Sequence, residues 1–353
     1  MRVLYFGTYE RGYPRNAQVI AALRRAGVDV AERHQPVWTG RDQWRAGPRT
    51  ALRLLAAEAR LLRGPRTDAD VVVVGYPGQL DLTAARRVAG GRPVVFNPLV
   101  SLWETLVEDR RRFAPGSLPA RALRALDRHA LRAADLVVAD TGANAQALAA
   151  LGALPAPHVA VCFVGAEERL FTPNGGERSP ATALFVGKLI PLHGLETILA
   201  AARLAPGIRF RIVGDGQLRD LLDNAPANVE RVPWLPYEQL PGELHRTTCA
   251  LGVFGTSAKA ARVIPNKAFQ ALATGTPLVT ADTAAARELL VGGESALLVP
   301  SGDPEALADA VSRLCNDAAL ARTLGAGGYD AYRAHASEEV LGRRWSALLE
   351  ALL

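Results

Sequence analysis

Short apolar runs alternate with stretches of helical spacing along nearly the whole chain. The first run, RVLYF, reads as a strand. It is followed by the polar loop GTYERGYPRN and then by a helix from Ala17 to Ala26, ended by Gly27. Strand, Gly-containing loop and helix in that order make the first βα unit of a doubly wound sheet. Residues 28–34 read as a second strand, and an amphipathic helix over about 48–63 has Leu52, Leu55, Ala59 and Leu62 on one face. DADVVVVG contains a fully apolar strand, as expected of a sheet buried on both sides. RPVVFNP supplies another strand. Residues 101–134 read as helical and Arg-rich, leading into the strand of LVVADT, and HVAVCFVGA closes this half.

FTPNGGERSPAT breaks the pattern: it is rich in Pro, Gly and polar residues, which marks a linker. The alternation then restarts with ATALFVGKL, GLETILAAARLA, RFRIVGDG, QLRDLLDNA, VERVPWL, YEQLPGELHRT and CALGVFGT, and ends with SALLVP and EALADAVSRLCN. The predicted organisation is an N-terminal Rossmann-like domain over 1–172, a linker over 173–182 and a second Rossmann-like domain over 183–334. A separate C-terminal helix over 335–353 carries Trp345 on its apolar face. Two doubly wound domains with facing strand ends predict a cleft lined by the loops that follow the strands.

A length of 353 residues agrees with two domains, and 49% apolar and 22% charged residues are globular values. Of the 41 basic residues only 188, 259 and 267 are Lys, so 41 − 3 leaves 38 Arg. The net charge of +6 permits an anionic ligand or an anionic membrane surface, beside the plain reading of a solvated basic surface. Cys162, Cys249 and Cys315 are too far apart for a metal motif or a disulfide framework. MRVLYFG reads as a strand and not as a signal peptide, and no apolar run approaches the ~20 residues of a membrane span. The expectation is a cytoplasmic protein with a peripheral membrane contact left open. The run Arg110–Arg112 beside Phe113 is the candidate for that contact, or else a solvated helix face. No nucleic-acid module is visible.

The chemistry gathers in RVIPNKAFQALATGTPLVT, residues 262–280. A short helix from about Lys267 to Ala273 stops at Gly275 and feeds a strand through Pro277. Asn266 is the predicted N-cap. Lys267 in the first turn opposes the helix dipole, so a cation there suits an anion better than it suits the helix. Gly214-x-Gly216 lacks the third Gly of a dinucleotide fingerprint. Asp68-Ala69-Asp70 precedes its strand, which favours a solvated strand start over a metal motif.

Taken together these loops resemble glycosyltransferase family 4, the retaining nucleotide-sugar transferases of GT-B fold. The resemblance runs over nearly the whole chain and is strongest from Ala183 to Asp309. It rests on Gly187-Lys188, His193-Gly194 where the family usually has Lys-Gly, Gly214-Asp215-Gly216, the loop Val232–Pro236, and ALATGTPLVTAD. The family's two glutamates, eight apart, fall on Arg262 and Gln270. PNK-x-x-Q together with IPLHG looks like a subgroup with altered donor handling. The resemblance implies an α/β fold of two doubly wound Rossmann-like domains facing a central cleft. It implies transfer of a sugar from a nucleotide-diphosphate donor to an unknown acceptor, without metal or other cofactor. On this reading Gly7, Thr8, Lys188, His193, Arg262, Asn266 and Lys267 meet the donor diphosphate and sugar. Gly214, Trp234, Leu235 and Gln270 hold the nucleoside, with Gln270 at the ribose. Arg15, Asn16, Asn97 and Asp109 lie on the acceptor side. Surface positions remain the plain alternative for Lys259 and Arg262, a tight turn for Gly7, helix-start capping for Arg15 and Asn16, and a helix surface for Asp109 and Glu104. No catalytic base is identified. An epimerase or hydrolase of the same fold, or an inactive donor-binding partner protein, are the other readings. The first needs positioned carboxylates or His in loops that have few, and the second follows from the replaced glutamates.

Overall fold

The computed structural model describes residues 1–38, 47–174 and 181–353. The chain divides into two compact units, residues 1–164 with 338–353, and residues 165–337. The passage between them falls at 164/165, before the residues predicted as a linker, of which 175–180 lie outside the described residues.

The first unit holds β1 (Arg2–Gly7), β2 (Asp29–His34), β3 (Val71–Val74), β4 (Val94–Phe96), β5 (Leu136–Ala139) and β6 (Val159–Val161) in the parallel order β2-β1-β3-β4-β5-β6. All four Val of β3 are buried, because a parallel strand is covered on both faces. On one face, Leu61 of α2 (Pro48–Arg63), Leu82 and Val88 of α3 (Leu82–Ala89), Leu131 of α4 (Leu118–Ala133) and Leu148 of α5 (Gly142–Gly152) join one core. On the other face α1 (Pro14–Arg25) packs with the helix Glu338–Glu350, whose Leu341, Trp345 and Leu349 are buried with Val19, Ile20 and Leu23. A Cβ on Gly342 would stand 2.4 Å from the Ala22 carbonyl oxygen, so glycine is what lets these two helices touch.

The second unit holds β7 (Thr182–Val186), β8 (Arg209–Val213), β9 (Val229–Val232), β10 (Cys249–Leu251), β11 (Leu278–Ala281) and β12 (Leu297–Val299), parallel, in the order β12-β11-β10-β7-β8-β9. Its helices are α6 (Leu195–Leu204), α7 (Leu240–Arg246), α8 (Asn266–Ala273), α9 (Pro304–Asn316) and α10 (Ala318–His335), and the C-terminal helix of the first unit is α11. The strand order reverses direction at β7 and β10, and the carboxyl ends of strands at such a point are where doubly wound sheets bind ligands.

The structure departs from the expected pattern in four places. The apolar strip of α2 is turned outward, with Leu52 67%, Leu55 65% and Leu62 41% exposed, while Ala57 and Leu61 are buried and Leu61 joins the core. The stretch 101–134 is not one helix: a π-helical turn (Glu104–Asp109) is followed by a loop and then by α4. QLRDLLDNA winds as a 3-10 turn (Arg219–Asn224). Helix α10 has no counterpart in the sequence reading. Asp68 and Asp70 take up Arg2 at the start of the sheet, Asp68 through the guanidinium at 2.6 Å and Asp70 through the backbone N–H at 2.7 Å.

Candidate active site

The loops after β7 and β8 are zipped together by their backbones. Gly187 N–H donates to Val213 O, Gly214 N–H to Val232 O and Leu189 N–H to Asp215 O. Gly187 (φ +150°) and Gly214 (φ +145°) adopt angles that favour glycine. A Cβ on Gly214 would fall 1.9 Å from the Gly187 carbonyl oxygen, and one on Gly216 2.6 Å from that of Leu189. The Gly-x-Gly pattern is thus required by this close approach, whatever it also offers a ligand.

A 3-10 turn (Pro191–His193) follows Gly187 and Lys188. His193 is buried, and its Nδ1 lies 2.5 Å from the Lys188 carbonyl oxygen. A carbonyl only accepts, so Nδ1 carries the proton and the ring is held in one orientation. Gly194 (φ +69°) fits where a Cβ would meet the Phe254 backbone at 2.6 Å, which brings the turn against the loop after β10. Lys188 is exposed.

Helix α8 begins beside these loops. Pro265 occupies the N-cap position and Asn266 is the first helical residue, with no side-chain cap. The predicted capping by Asn266 is therefore corrected: Pro265 sets the extended backbone angle that starts the helix, and the amide is half-buried. Lys267 points inward and is 8% exposed. Its Nζ sits 3.6 Å from the centroid of the Phe185 ring, and a Cβ on Gly187 would lie 3.1 Å from it, with His193 Cε1 at 3.3 Å. The ammonium has no hydrogen-bond partner. Burial pushes its pKa well below the usual lysine range. The ring face of Phe185 compensates part of the desolvation. One turn on, Gln270 is buried and its Nε2 donates to Tyr237 Oη at 3.3 Å. Tyr237 in turn packs edge-on against Phe171 at 5.6 Å. Arg262 is half-buried in a 3-10 turn (Ala260–Arg262), and Lys259, expected on the surface, is buried. Trp234 is 52% exposed and Leu235 half-buried on the loop after β9.

The structure thus brings Lys267, His193, Lys188 and Gly187 together at the end of β7, with Gln270 deeper along α8. Phe185 and Tyr237 were not singled out from the sequence. Phe185 is the last buried aromatic before Gly187, and its place in the strand was the available signal.

In the first unit, Gly7 (φ +127°) and Thr8 meet Asp81. A Cβ on Gly7 would lie 2.0 Å from Asp81 Oδ2, and the same oxygen accepts the Thr8 N–H at 2.7 Å, with Thr8 Oγ1 3.1 Å from Oδ1. Burial raises the pKa of Asp81, and burial together with Asp81 pushes that of Glu58 up to about 10. Arg15, Asn16 and Asn97 are fully buried. Arg15 Nε donates to Asn97 Oδ1 at 2.7 Å, and its Nη1 donates to the carbonyls of Cys162 and Phe163. Asn16 Oδ1 accepts from Tyr5 Oη and Tyr76 N–H, while Nδ2 donates to the carbonyls of Glu10 and Tyr76. All three lie in the interior of the unit, and Arg15 Nη2 alone among the polar side-chain atoms of the three is buried without a hydrogen-bond partner. Asp109 is buried at the end of the π-helical turn, 3.6 Å from Arg110 Nε, and not on a helix surface. Among the described residues no helix is long and apolar enough to cross a membrane.

Comparison with known proteins agrees with this architecture. The family model described as glycosyl transferases group 1 matches residues 180–317. A GDP-mannose-dependent alpha-mannosyltransferase of Mycobacterium tuberculosis is 30% identical over 305 residues, covering 80% of this chain and 74% of that protein. Sucrose-phosphate synthase from Thermosynechococcus elongatus superposes with a TM-score of 0.75 at 18% identity, over 99% of this chain and 98% of that one. Anabaena HepE in complex with UDP and glucose gives 0.71 at 14%, over 99% and 100%. The chain belongs to the group 1 glycosyltransferases and has the GT-B fold. It is an enzyme of glycosyl transfer.

Proposed function

We propose that this enzyme takes its sugar from a nucleotide-diphosphate donor bound to the second unit, with retention of anomeric configuration and without a metal ion. The single observation that carries the reading is Lys267, a buried ammonium without a hydrogen-bond partner, at the glycine-lined end of β7. A departing diphosphate supplies the anion this cation lacks, and a preorganised cation stabilises the charge that develops as the sugar leaves. Lys188 joins Lys267 there. His193 contributes a ring already oriented by the Lys188 carbonyl. Arg262 and Asn266 flank the sugar and its phosphates. Gln270, in the place of a carboxylate, meets the ribose by neutral hydrogen bonds. Gly214, Trp234 and Leu235 receive the base. The GDP-mannose dependence of the mycobacterial relative and the UDP and glucose bound to Anabaena HepE support a donor of this class. We assign the acceptor to the first unit, where Thr8 and Asp109 lie.

A thermal-shift panel of UDP-, GDP- and TDP-sugars in EDTA tests the reading. One nucleotide sugar is expected to stabilise the protein by about 2.7 kcal/mol at a hundredfold excess over its Kd. Slow hydrolysis of that donor without acceptor is expected to release sugar of retained configuration. Absence of stabilisation by any nucleotide sugar overturns the donor assignment, and an inverted product overturns retention.

A further inference from the structure

Helices α1 and α11 run antiparallel and close against each other. Arg25 meets Glu338 at 3.3 Å, Gly342 leaves no room for a Cβ beside the Ala22 carbonyl, and the Arg15 guanidinium lies over the Trp345 ring at 5.7 Å. Gln18 is one turn before Ala22 on α1, and Ser346 is one turn after Gly342 on α11. Residues four apart share a helix face, so Gln18 and Ser346 come to the same level of this seam. Arg15 lies three residues before Gln18, on the same side of α1.

The seam carries four buried polar atoms without a hydrogen-bond partner: Arg15 Nη2, Gln18 Nε2 and Oε1, and Ser346 Oγ. Arg15 is fully buried and Gln18 is 3% exposed. Buried polar groups are as a rule bonded, and an exception calls for a water or an ion. Here charge is out of balance as well. The bonded nitrogens of Arg15 donate to Asn97 Oδ1 and to the carbonyls of Cys162 and Phe163, which are all neutral acceptors. Among the described residues Arg15 enters no ion pair. It is the second residue of α1, where the helix dipole adds positive potential. Burial pushes the neighbouring Cys162 thiol up to about 11, and the two charges that oppose this shift, Arg15 and Arg344, are both cations. Nη2 and Nε2 donate, the Ser346 hydroxyl can donate, and Gln18 Oε1 is the one atom of the four that only accepts.

We propose that a small monovalent anion of chloride size sits in this seam, held by Arg15 Nη2, the Gln18 amide and the Ser346 hydroxyl. A water molecule can bond these atoms but leaves the buried guanidinium uncompensated, so charge selects the anion. The close approach of the helices at Gly342 and the cover of Trp345 favour a monatomic ion over a phosphate or an organic carboxylate. The bound ion ties the C-terminal helix to α1 and, through Arg15, to the ends of β4 and β6.

Thermal unfolding of the full chain at constant ionic strength tests the proposal, with sodium gluconate exchanged stepwise for sodium chloride. Gluconate is too large for the seam. Tm is expected to rise along a saturating curve, by about 3–6 °C at tenfold excess of chloride over its Kd. Hydrogen exchange is expected to place the added protection in α1 and α11. Gln18→Met combined with Ser346→Ala removes two of the three groups that hold the ion and leaves Arg15 and its other bonds in place. This double variant is expected to bind chloride about tenfold or more weakly, and in gluconate to be at least as stable as the parent, because the orphaned amide and hydroxyl are gone. Crystals grown in bromide are expected to show an anomalous peak within hydrogen-bond distance of Arg15 Nη2. The proposal is overturned if Tm is equal in the two salts, if the double variant keeps the parent's chloride response, or if the bromide crystals show only water in the seam. Protection confined to residues 187–194 and 262–273 also overturns it, since chloride would then be acting at the proposed donor site. Donor binding enters none of these readouts, so the two readings fail separately.

Discussion

Lys267 keeps a cation where both burial and the start of a helix oppose one. That combination separates a functional residue from a structural one. Lys267→Met removes a desolvated charge and keeps an unbranched side chain one heavy atom shorter. Replacing buried charge by apolar groups is often stabilising by about 1–4 kcal/mol, so the ligand-free variant is expected to unfold at higher temperature. On the proposed donor assignment the same change removes a charged partner of the diphosphate, and donor affinity is expected to fall by about 1.5–3 kcal/mol, or about ten- to 150-fold. Higher Tm with weaker donor binding, measured by calorimetry and titration, is the signature. A lower Tm with unaltered affinity would make Lys267 a packing residue. The pH dependence has a definite sign. In the unfolded chain the lysine keeps its proton to about pH 10.4, whereas burial in the folded protein releases it at lower pH. Between those two points the unfolded state holds more protons, so stability rises with pH through that window, and Lys267→Met abolishes the rise. A bound diphosphate favours the charged form. Donor binding above the free lysine's pKa is therefore expected to take up a proton, and affinity to fall as pH rises. Titration calorimetry in two buffers of different ionisation enthalpy reads that uptake directly, and a heat independent of buffer in both parent and variant contradicts it.

Helix α8 holds its place because α10 lets it approach. A Cβ on Gly325 would lie 2.4 Å from the Gly275 carbonyl oxygen, one on Gly327 2.2 Å from that of Glu294, and one on Gly328 2.8 Å from Leu272 Cδ2. In an open helix Gly→Ala gains about 0.5–1 kcal/mol. Here the methyl group meets backbone, and Gly325→Ala is expected to destabilise by about 1–3 kcal/mol and to weaken donor binding by moving α8. Ala326→Gly at an exposed position is the control: it costs about 1 kcal/mol of helix propensity and leaves donor affinity unchanged. Equal donor affinities for both variants would show that α8 does not move with α10. These glycines also explain why α10 was not legible in the sequence: LGAGGYD is rich in a poor helix former, and only the packing shows each glycine as a point of contact. The apolar strands were legible because a run such as Val71–Val74 has few other places to go. The stop of α8 at Gly275, with φ +66°, was legible for the same local reason. Periodicity told which residues of α2 share a face but not which way the face points. Arg15 was read as an acceptor-side residue or a helix-start cap, and its burial was not legible because its partners, Asn97 and the carbonyls of 162 and 163, are far away in sequence. Lys267 stood out because a cation at a helix start is a local conflict, and such conflicts concentrate at functional sites.

Each unit has its own sheet and its own core, yet the first is completed by the last residues of the chain. Trp345 and Leu349 of α11 are buried against α1, and Gly342 touches Ala22. Stability of the first unit thus depends on a helix that follows the whole of the second in sequence. Trp345→Ala is expected to destabilise the first unit by about 3–5 kcal/mol, the usual cost of emptying a buried Trp site. On the proposed assignment of the donor to the second unit, the donor is expected to protect that unit increasingly as its concentration rises. Hydrogen exchange resolved by peptide separates the two effects. In Trp345→Ala, protection should fall in β1–β6, α1 and α11, while β7–β12 keep theirs. Adding the donor should raise protection around residues 187–194 and 262–273 and leave the α11 defect in place. If Trp345→Ala instead exposed both sheets together, the two units would unfold as one cooperative body. Saturating donor would then restore protection to α11 as well. The two outcomes assign the coupling between units without reference to catalysis, because the readout is backbone opening and the perturbation lies in the apolar core.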